Sequence, residues 1–344
     1  MSTILGIDQF SINGIPSDID AMHQAYPFGW YQISNGMQVG ILARKAWPVY
    51  SRHYGGYHYF NPNPDGNWLF QNWNDYAEAC AWLFLDCMKG DYGGCAPMID
   101  VEARVSQNYL QLLFPGLSKS EQIQKGNQLY FQMLKTICDL VEQETGQIPV
   151  LYTGNNLWLD LGGQSQAWAA RLPLMVAIYP YDNYTKESEY LAAINKIMDG
   201  TATLPKIDIP APWTAATYVQ FTGRGPASLI PGYAKEANWA KTVDISIQVA
   251  KEMPQPGTGN PPDKKETPAG VTEPAHETAA PLFQPNRDVN VRSGPSQAAE
   301  ASGTLARGTI VKIDQVKDGY SHFIPMLQFP QGGWIFSAFL VQVS

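Results

Sequence analysis

The segment PMIDVE, residues 97–102, gives the clearest indication of how this chain folds. An apolar run of strand length leads into two carboxylates, Asp100 and Glu102, that are separated by one residue. Side chains two residues apart on a β-strand project from the same face, with Cβ atoms about 6.5–7 Å apart. A buried strand that ends in two carboxylates is typical of an α/β barrel, where functional groups follow the carboxyl ends of the strands.

Strand-length apolar runs and helical patterns alternate on both sides of this segment. The alternation favours a parallel α/β barrel, and the small number of helical patterns predicts an irregular, flattened TIM-like β/α barrel. The clearest helix begins after Ser118 or Ser120, either of which can cap it, and Gly146 can close it. The predicted strands are Thr3–Ile7, Trp30–Ile33, Gly56–Phe60, Pro97–Val101, Pro149–Tyr152, Leu174–Tyr179 and Thr217–Phe221, and the predicted helices are Asn74–Lys89, Ser118–Thr145 and Ser188–Met198.

A change of composition divides the chain into three parts. Residues 254–286 are rich in Pro, Thr, Glu, Ala and Gly, with almost no large apolar residue before Leu282, which predicts an extended linker. The barrel then occupies residues 1–253. Residues 287–344 contain short alternating strands separated by Gly and Pro turns, which predicts a small all-β barrel.

Composition and charge argue against several classes of function. A hydrophobic fraction of 44% supports a large core, and a net charge of −8 argues against binding of nucleic acid. No apolar run reaches the ~18–20 residues of a membrane span. The cysteine spacing fits neither a disulfide framework nor a zinc site, so we expect no metal and no cofactor. The four cysteines are Cys80, Cys87, Cys95 and Cys138.

Acidic and tyrosine residues recur at the ends of the other predicted strands. A barrel brings these ends to one mouth, where carboxylates and aromatic rings can bind a sugar. Two close carboxylates cannot both ionise cheaply, so one pKa rises and keeps a general acid protonated near neutral pH. His58 is interpreted as a structural hydrogen-bonding residue. The recurring residues are Asp8, Tyr57, Tyr152, Tyr179, Gln220 and Asp244.

The order of these segments resembles the family 25 glycoside hydrolases, the Chalaropsis-type lysozymes that cut peptidoglycan. The matching segments along residues 3–248 are GIDQFSING, GGYHYF, PMIDVEA, VLYTG, LMVAIY, YVQF and VDI. The resemblance implies a muramidase that cleaves the β-1,4 bond between N-acetylmuramic acid and N-acetylglucosamine. It implies that Glu102 is the general acid, that the other acidic site residues are Asp100, Asp8 and Asp244, and that the substrate contacts are Tyr57, Tyr152, Tyr179 and Gln220.

Three positions depart from the family pattern, although the four acids are intact. Gln32 stands where members often carry Lys, Met175 stands where they often carry Trp, and residues 219–221 read VQF instead of WQY. The resemblance suggests net retention of configuration. Two nucleophiles remain open, the acetamide of the substrate oriented by Asp100 and a carboxylate that attacks directly.

Residues 287–344 resemble bacterial SH3 (SH3b) domains, through NVRSGPS at 290–296, Gly308-Thr309, Gly333-Trp334-Ile335 and Phe339-Leu340. This resemblance implies a cell-wall ligand for the segment. The start MSTILGIDQF lacks the features of a secretory signal. Together these observations predict a monomeric phage endolysin, made in the cytoplasm of an infected bacterial host and released to the cell wall. A chain without its leader and a non-classical export route stay open as alternatives.

Two other classes of function stay open. One is a non-catalytic glycan or cell-wall-binding protein, in which the barrel holds sugar without cleaving it. The other is an interaction scaffold whose SH3b module binds proline-rich segments. The intact set of four acids favours the enzyme, because a scaffold has no use for it.

Overall fold

The computed structural model describes most of the N-terminal part of the chain and shorter stretches of the C-terminal part. It forms two compact units, of which the first is Met1–Asn63 with Ala77–Pro261 and the second is Pro64–Tyr76 with Pro262–Ser344. Most of the predicted linker, residues 254–281, lies outside the described residues. The described residues are 4–10, 15–40, 42–63, 73–180, 186–202, 204–226, 230–233, 242–249, 282–285, 289–293, 301–305, 309, 311–317, 320–323, 333–336 and 340–342.

Eight strands of the first unit close into a barrel. They are β1 (Leu5–Gln9), β2 (Phe28–Asn35), β4 (Gly55–Tyr59), β5 (Met98–Val101), β6 (Val150–Gly154), β7 (Leu174–Ala177), β8 (Tyr218–Pro226) and β9 (Thr242–Gln248). They follow one another around the barrel in this order, and β9 pairs with β1 to complete the ring. The short strand β3 (Gln38–Val39) pairs with β2 alone.

The prediction of an α/β barrel is confirmed, with one difference in strand direction. Six of the eight pairings in the ring are parallel, but β9 runs antiparallel to both of its neighbours. Antiparallel neighbours need no crossover helix between them, so this barrel closes with fewer helices than eight full repeats would require.

Seven helices accompany the strands in the part of the chain that the structure describes. The three predicted helices are confirmed, and the longest is capped as expected. The Ser118 and Glu121 side chains each accept a hydrogen bond from the other residue's backbone N–H, and Gly146 ends the helix with a φ of 68°. No described helix is long and apolar enough to cross a membrane. The helices are α1 (Ile19–Ala25), α2 (Ala43–Tyr50), α3 (Trp73–Met88), α4 (Gln107–Leu113), α5 (Lys119–Thr145), α6 (Asn155–Asp160) and α7 (Glu187–Met198).

The interior of the barrel is filled by large apolar side chains below the carboxyl ends of the strands. The Phe28 ring lies 5.0 Å from that of Tyr218 and 6.0 Å from that of Trp30, measured between centroids. Gly6 faces the Phe28 ring so closely that an added Cβ would lie 2.2 Å from it. This layer forms a floor, and on β4, β5 and β8 the residues two positions further along the strand, Tyr59, Asp100 and Gln220, carry polar groups. Its buried members are Phe28, Trp30, Tyr57, Cys95, Met98, Val150, Tyr152, Met175 and Tyr218.

The second unit contains a seven-stranded sheet in which all recorded pairings are antiparallel. Its first strand lies at the end of the predicted linker, so the sheet begins before residue 287. Phe283 belongs to this strand and pairs with Val311 and Gln342 of the sheet. The SH3-like barrel stays a prediction. The strands are β10 (Leu282–Pro285), β11 (Val289–Arg292), β12 (Ala301–Leu305), β13 (Val311–Lys317), β14 (Tyr320–Phe323), β15 (Gly333–Phe336) and β16 (Leu340–Gln342).

Replacement of Gly6 by Ala should destabilise the barrel by about 1–3 kcal/mol, because the buried Phe28 ring cannot move without disturbing two further rings. The measurement is the free energy of unfolding of the full chain in urea. Gly154→Ala is the matched control, since an added Cβ there meets no atom within 4 Å. Equal stabilities of the two variants would show that the contact with Phe28 does not restrict position 6.

Candidate active site

The four predicted acids lie on strands that meet at one mouth of the barrel. Asp8 of β1 is directly opposite Asp244 of β9 in the strand register. Asp100 of β5 lies between Tyr59 and Tyr152 of the neighbouring strands. Glu102 is the first residue after β5 and is exposed. Asp8, Asp100 and Asp244 therefore belong to the wall of the barrel, and Glu102 lies just beyond the end of its strand.

Burial raises the pKa values of the three acids in the wall. Asp8 and Asp100 are only 5% and 6% exposed, and burial together with neighbouring carboxyl groups raises both pKa values well above the ordinary range. Burial and the nearby Glu102 raise the pKa of Asp244 to about 7, against a hydrogen bond from Gln220 that lowers it. The folded protein thus retains protons that isolated carboxylic acids release.

Glu102 combines a raised pKa with access to solvent. Partial desolvation of its carboxyl group raises the pKa, and the nearby Tyr152 hydroxyl opposes that shift. An exposed acid that holds its proton at higher pH than usual is suited to donate the proton to a bound ligand.

Gln220 connects the two sides of the site through its side-chain amide. Its carbonyl oxygen Oε1 accepts hydrogen bonds from the hydroxyl groups of Tyr152, at 2.5 Å, and Tyr179, at 2.6 Å. Its NH₂ group donates to the carboxyl groups of Asp8 and Asp244 and lowers both pKa values. With the carbonyl oxygen turned towards the two phenols, the NH₂ group of the amide faces the acids.

The predicted substrate contacts differ in how accessible they are. Tyr179 is 40% exposed, whereas Tyr57, Tyr152 and Gln220 are 5%, 4% and 2% exposed. Burial raises the pKa of the Tyr57 hydroxyl, and each of the four acids raises it further. Tyr57 is therefore close to all four carboxyl groups, and most of the predicted contact residues support the site from beneath.

Two carboxylate oxygens in the wall have no hydrogen-bond partner among the described residues. They are Oδ1 of Asp8 and Oδ1 of Asp100, both of which are buried. Leaving such an atom unpaired costs free energy, so unpaired oxygens at a barrel mouth are available to a ligand. The other Asp8 oxygen accepts a hydrogen bond of 3.3 Å from the Ser246 hydroxyl.

A cleft of about 520 Å³ opens beside Glu102. Tyr152 and Tyr179 contribute to its lining, together with residues that follow β6 and β7. Its size fits a small ligand or a short segment of a polymer. Of the four acids, Glu102 belongs to the lining of this cleft.

The sequence did not single out Tyr59 or Ser246 as site residues. The carboxyl groups of Asp100 and Glu102 raise the pKa of Tyr59, in addition to the effect of burial, so Tyr59 is close to both. The signal that could have found them is the strand period of two, since Tyr59 follows Tyr57 and Ser246 follows Asp244 at that spacing.

The interpretation of His58 as a structural residue agrees with its position on the outside of the barrel. Its ring is fully buried beside Phe84, and Nδ1 is 2.9 Å from the Ser34 hydroxyl. Burial lowers its pKa to about 3. Among the described residues, no group of three or more His, Cys, Asp or Glu could hold a metal ion.

No protein-family model and no curated protein matches the chain. The chain is similar to several solved structures. A family 25 glycosyl hydrolase from Bacillus anthracis is 18% identical, with 72% of this chain and 90% of that chain covered and a TM-score of 0.43. A bacterial lysozyme from Streptomyces coelicolor is 15% identical, with 73% and 94% covered and a TM-score of 0.46.

The spore cortex lytic enzyme SleM from Clostridium perfringens is 16% identical, with 99% of this chain and 98% of that chain covered and a TM-score of 0.47. At such identities and TM-scores, the function of this chain has to be argued from its own residues.

The retained protons predict how the stability of the barrel depends on pH. An acid whose pKa is higher in the folded state stabilises that state at low pH and loses this contribution as pH rises through the folded pKa. For Asp244 this window runs from about pH 4 to about pH 7. Stability should fall across it, with a slope of up to ~1.4 kcal/mol per pH unit from this one group.

Asp244→Asn removes the titrating group and should make the decline less steep, as measured by urea unfolding at several pH values. Asp199→Asn is the control, because Asp199 is fully exposed and hydrogen bonds from Thr201 lower its pKa. The same slope in the wild type and Asp244→Asn would contradict the raised pKa of Asp244.

Proposed function

We propose that this chain is a peptidoglycan hydrolase, a muramidase that cleaves the β-1,4 bond between N-acetylmuramic acid and N-acetylglucosamine. The observation that carries the proposal is the position of Glu102, a solvent-exposed acid with a raised pKa at the edge of a cleft, close to two buried acids, Asp8 and Asp100, and one partly buried acid, Asp244. This arrangement suits glycoside hydrolysis, which needs one protonated acid at the leaving oxygen and a second group at the sugar carbon.

In the proposed reaction, Glu102 gives its proton to the glycosidic oxygen as the bond to the anomeric carbon breaks. Positive charge then develops on the muramyl ring, and the carboxyl oxygens of the acid cluster stabilise it. Loss of the proton leaves Glu102 as a carboxylate, which can accept a proton from the water that completes hydrolysis.

The properties of Asp100 favour the acetamide of the substrate as the nucleophile. Direct attack by Asp100 requires an ionised carboxylate, which burial and three neighbouring acids oppose. Its unpaired Oδ1 can accept a hydrogen bond from the acetamide N–H, which orients the acetamide oxygen towards the anomeric carbon. Asp8, Asp244 and Gln220 hold the surrounding network in place.

Replacement of Glu102 by Gln should reduce the lysis of purified cell walls by about 10²–10⁴-fold, because Gln keeps the shape but has no proton to transfer. Folding should be unaffected, since position 102 is exposed. Glu144→Gln, a change at an exposed residue of α5, is the control and should lyse normally. Near-normal lysis by Glu102→Gln would refute this role, and a wild-type chain that binds walls without cutting glycan would favour the non-catalytic alternative.

We further propose that residues 287–344 are an SH3b module that attaches the enzyme to the wall, and that the protein acts as a monomeric phage endolysin released from the host cytoplasm. Residues 1–253 carry 16 Lys and Arg against 23 Asp and Glu, a net charge of −7. Anionic wall polymers repel such a domain, most strongly at low salt, so attachment requires a separate module.

Deletion of residues 287–344 should slow the lysis of whole walls far more than the cleavage of soluble glycan fragments. Added salt should partly restore wall lysis by the shortened chain, because it screens the repulsion. Cleavage of soluble fragments serves as the control for folding. Equal wall lysis with and without the segment at every salt concentration would exclude a targeting role.

A further inference from the structure

The cleft beside Glu102 has a second charged feature, which the reaction described above does not use. Lys206 and Asp208 belong to its lining and lie on the non-helical segment 204–210 that follows α7. Apart from Glu102, the rest of the lining is neutral and includes Asn155, Asn156 and Tyr179. Among the described residues that line the cleft, Lys206 is the single cation.

The ammonium group of Lys206 makes no ion pair with the residues that the structure describes. Seven ion pairs are formed elsewhere in the described chain, and Lys206 takes part in none of them. Even Asp208, two residues away and in the same cleft, lies beyond ion-pair distance. Both residues are exposed, so the charge of Lys206 is available to a ligand in the cleft.

A neutral sugar does not account for a cation at this position. Hydroxyl and acetamide groups are bound by amides, hydroxyls and aromatic rings, and Asn155, Asn156 and Tyr179 already supply these. A lysine ammonium has three donors and a full charge, and it gains most from an anion. The domain carries a net charge of −7, which repels an anionic substrate. Lys206 supplies a positive charge in the cleft that attracts such a substrate.

From these observations we propose that Lys206 is a specificity-determining residue that binds a carboxylate carried by the glycan. The inference rests on the proposed muramidase function, because a muramyl strand bears carboxylates on its lactyl groups or on the peptides attached to them. Lys206 therefore favours strands with free carboxylates over neutral ones, whereas Asp208 opposes the same ligand.

The test compares wild type, Lys206→Met and Lys206→Arg on soluble glycan strands whose peptides have been removed, so that each lactyl group is a free carboxylate. The same strands with carboxylates converted to neutral amides are the second substrate, and peptide-bearing strands are the third. Lys206→Met should raise KM for carboxylate-bearing strands by about two- to fivefold at low salt, with kcat within about twofold. Lys206→Arg should keep the wild-type KM.

Three controls separate recognition of charge from a structural effect. The KM difference between wild type and Lys206→Met should vanish on the amidated strands and should shrink at 1 M salt, where the Debye length is about 3 Å. Asp208→Asn should change KM for charged strands in the opposite direction. A difference on peptide-bearing strands alone would place the carboxylate on the peptide, and a difference on denuded strands would place it on the lactyl group.

Equal KM values of wild type and Lys206→Met on both kinds of carboxylate-bearing strand would overturn the inference while hydrolysis itself continued. If the wild type cleaved no strand, the proposed function would fail on its own. In that case the dissociation constants of wild type and Lys206→Met for the same strands would be measured by calorimetry. We expect the dissociation constant of Lys206→Met for carboxylate-bearing strands to be about two- to fivefold higher than that of the wild type.

Discussion

The crowding of four carboxyl groups at one mouth of the barrel is the constraint on which the rest of the site depends. Four adjacent negative charges in a largely buried space repel one another, and burial penalises each of them separately. The protein retains protons on the three acids of the barrel wall, as the raised pKa values of Asp8, Asp100 and Asp244 indicate. Glu102 differs from these acids because it is exposed and lines the cleft, where it can exchange a proton with a ligand.

The hydrogen bonds around Gln220 explain how the cluster keeps its geometry. Two phenols point at the carbonyl oxygen of the amide, so its donors face Asp8 and Asp244. The hydroxyl oxygen of Tyr179 also lies 3.2 Å from that of Tyr152. Tyr179 is exposed in the cleft. A ligand that touches Tyr179 therefore meets a network that ends at the buried acids, and below it the rings around Phe28 provide a rigid floor.

Local patterns in the sequence predicted the parts of this site that depend on a single strand or helix. The spacing of Asp100 and Glu102 follows from the strand period, and the ends of α5 follow from Ser118 and Gly146. The reversed direction of β9 could not be predicted, because it depends on pairing with two distant strands. The burial of Gln220 could not be predicted either, because it also depends on contacts between distant strands. Lys206 lies in an irregular segment, where no periodicity indicates which way a side chain points.

The products released from purified peptidoglycan show whether this acid cluster cleaves the muramyl bond. Digested glycan would be reduced with borohydride and analysed by mass spectrometry, so that the sugar at each new reducing end is identified. We expect new reducing ends on N-acetylmuramic acid. New reducing ends on N-acetylglucosamine, or no glycan fragments at all, would contradict it.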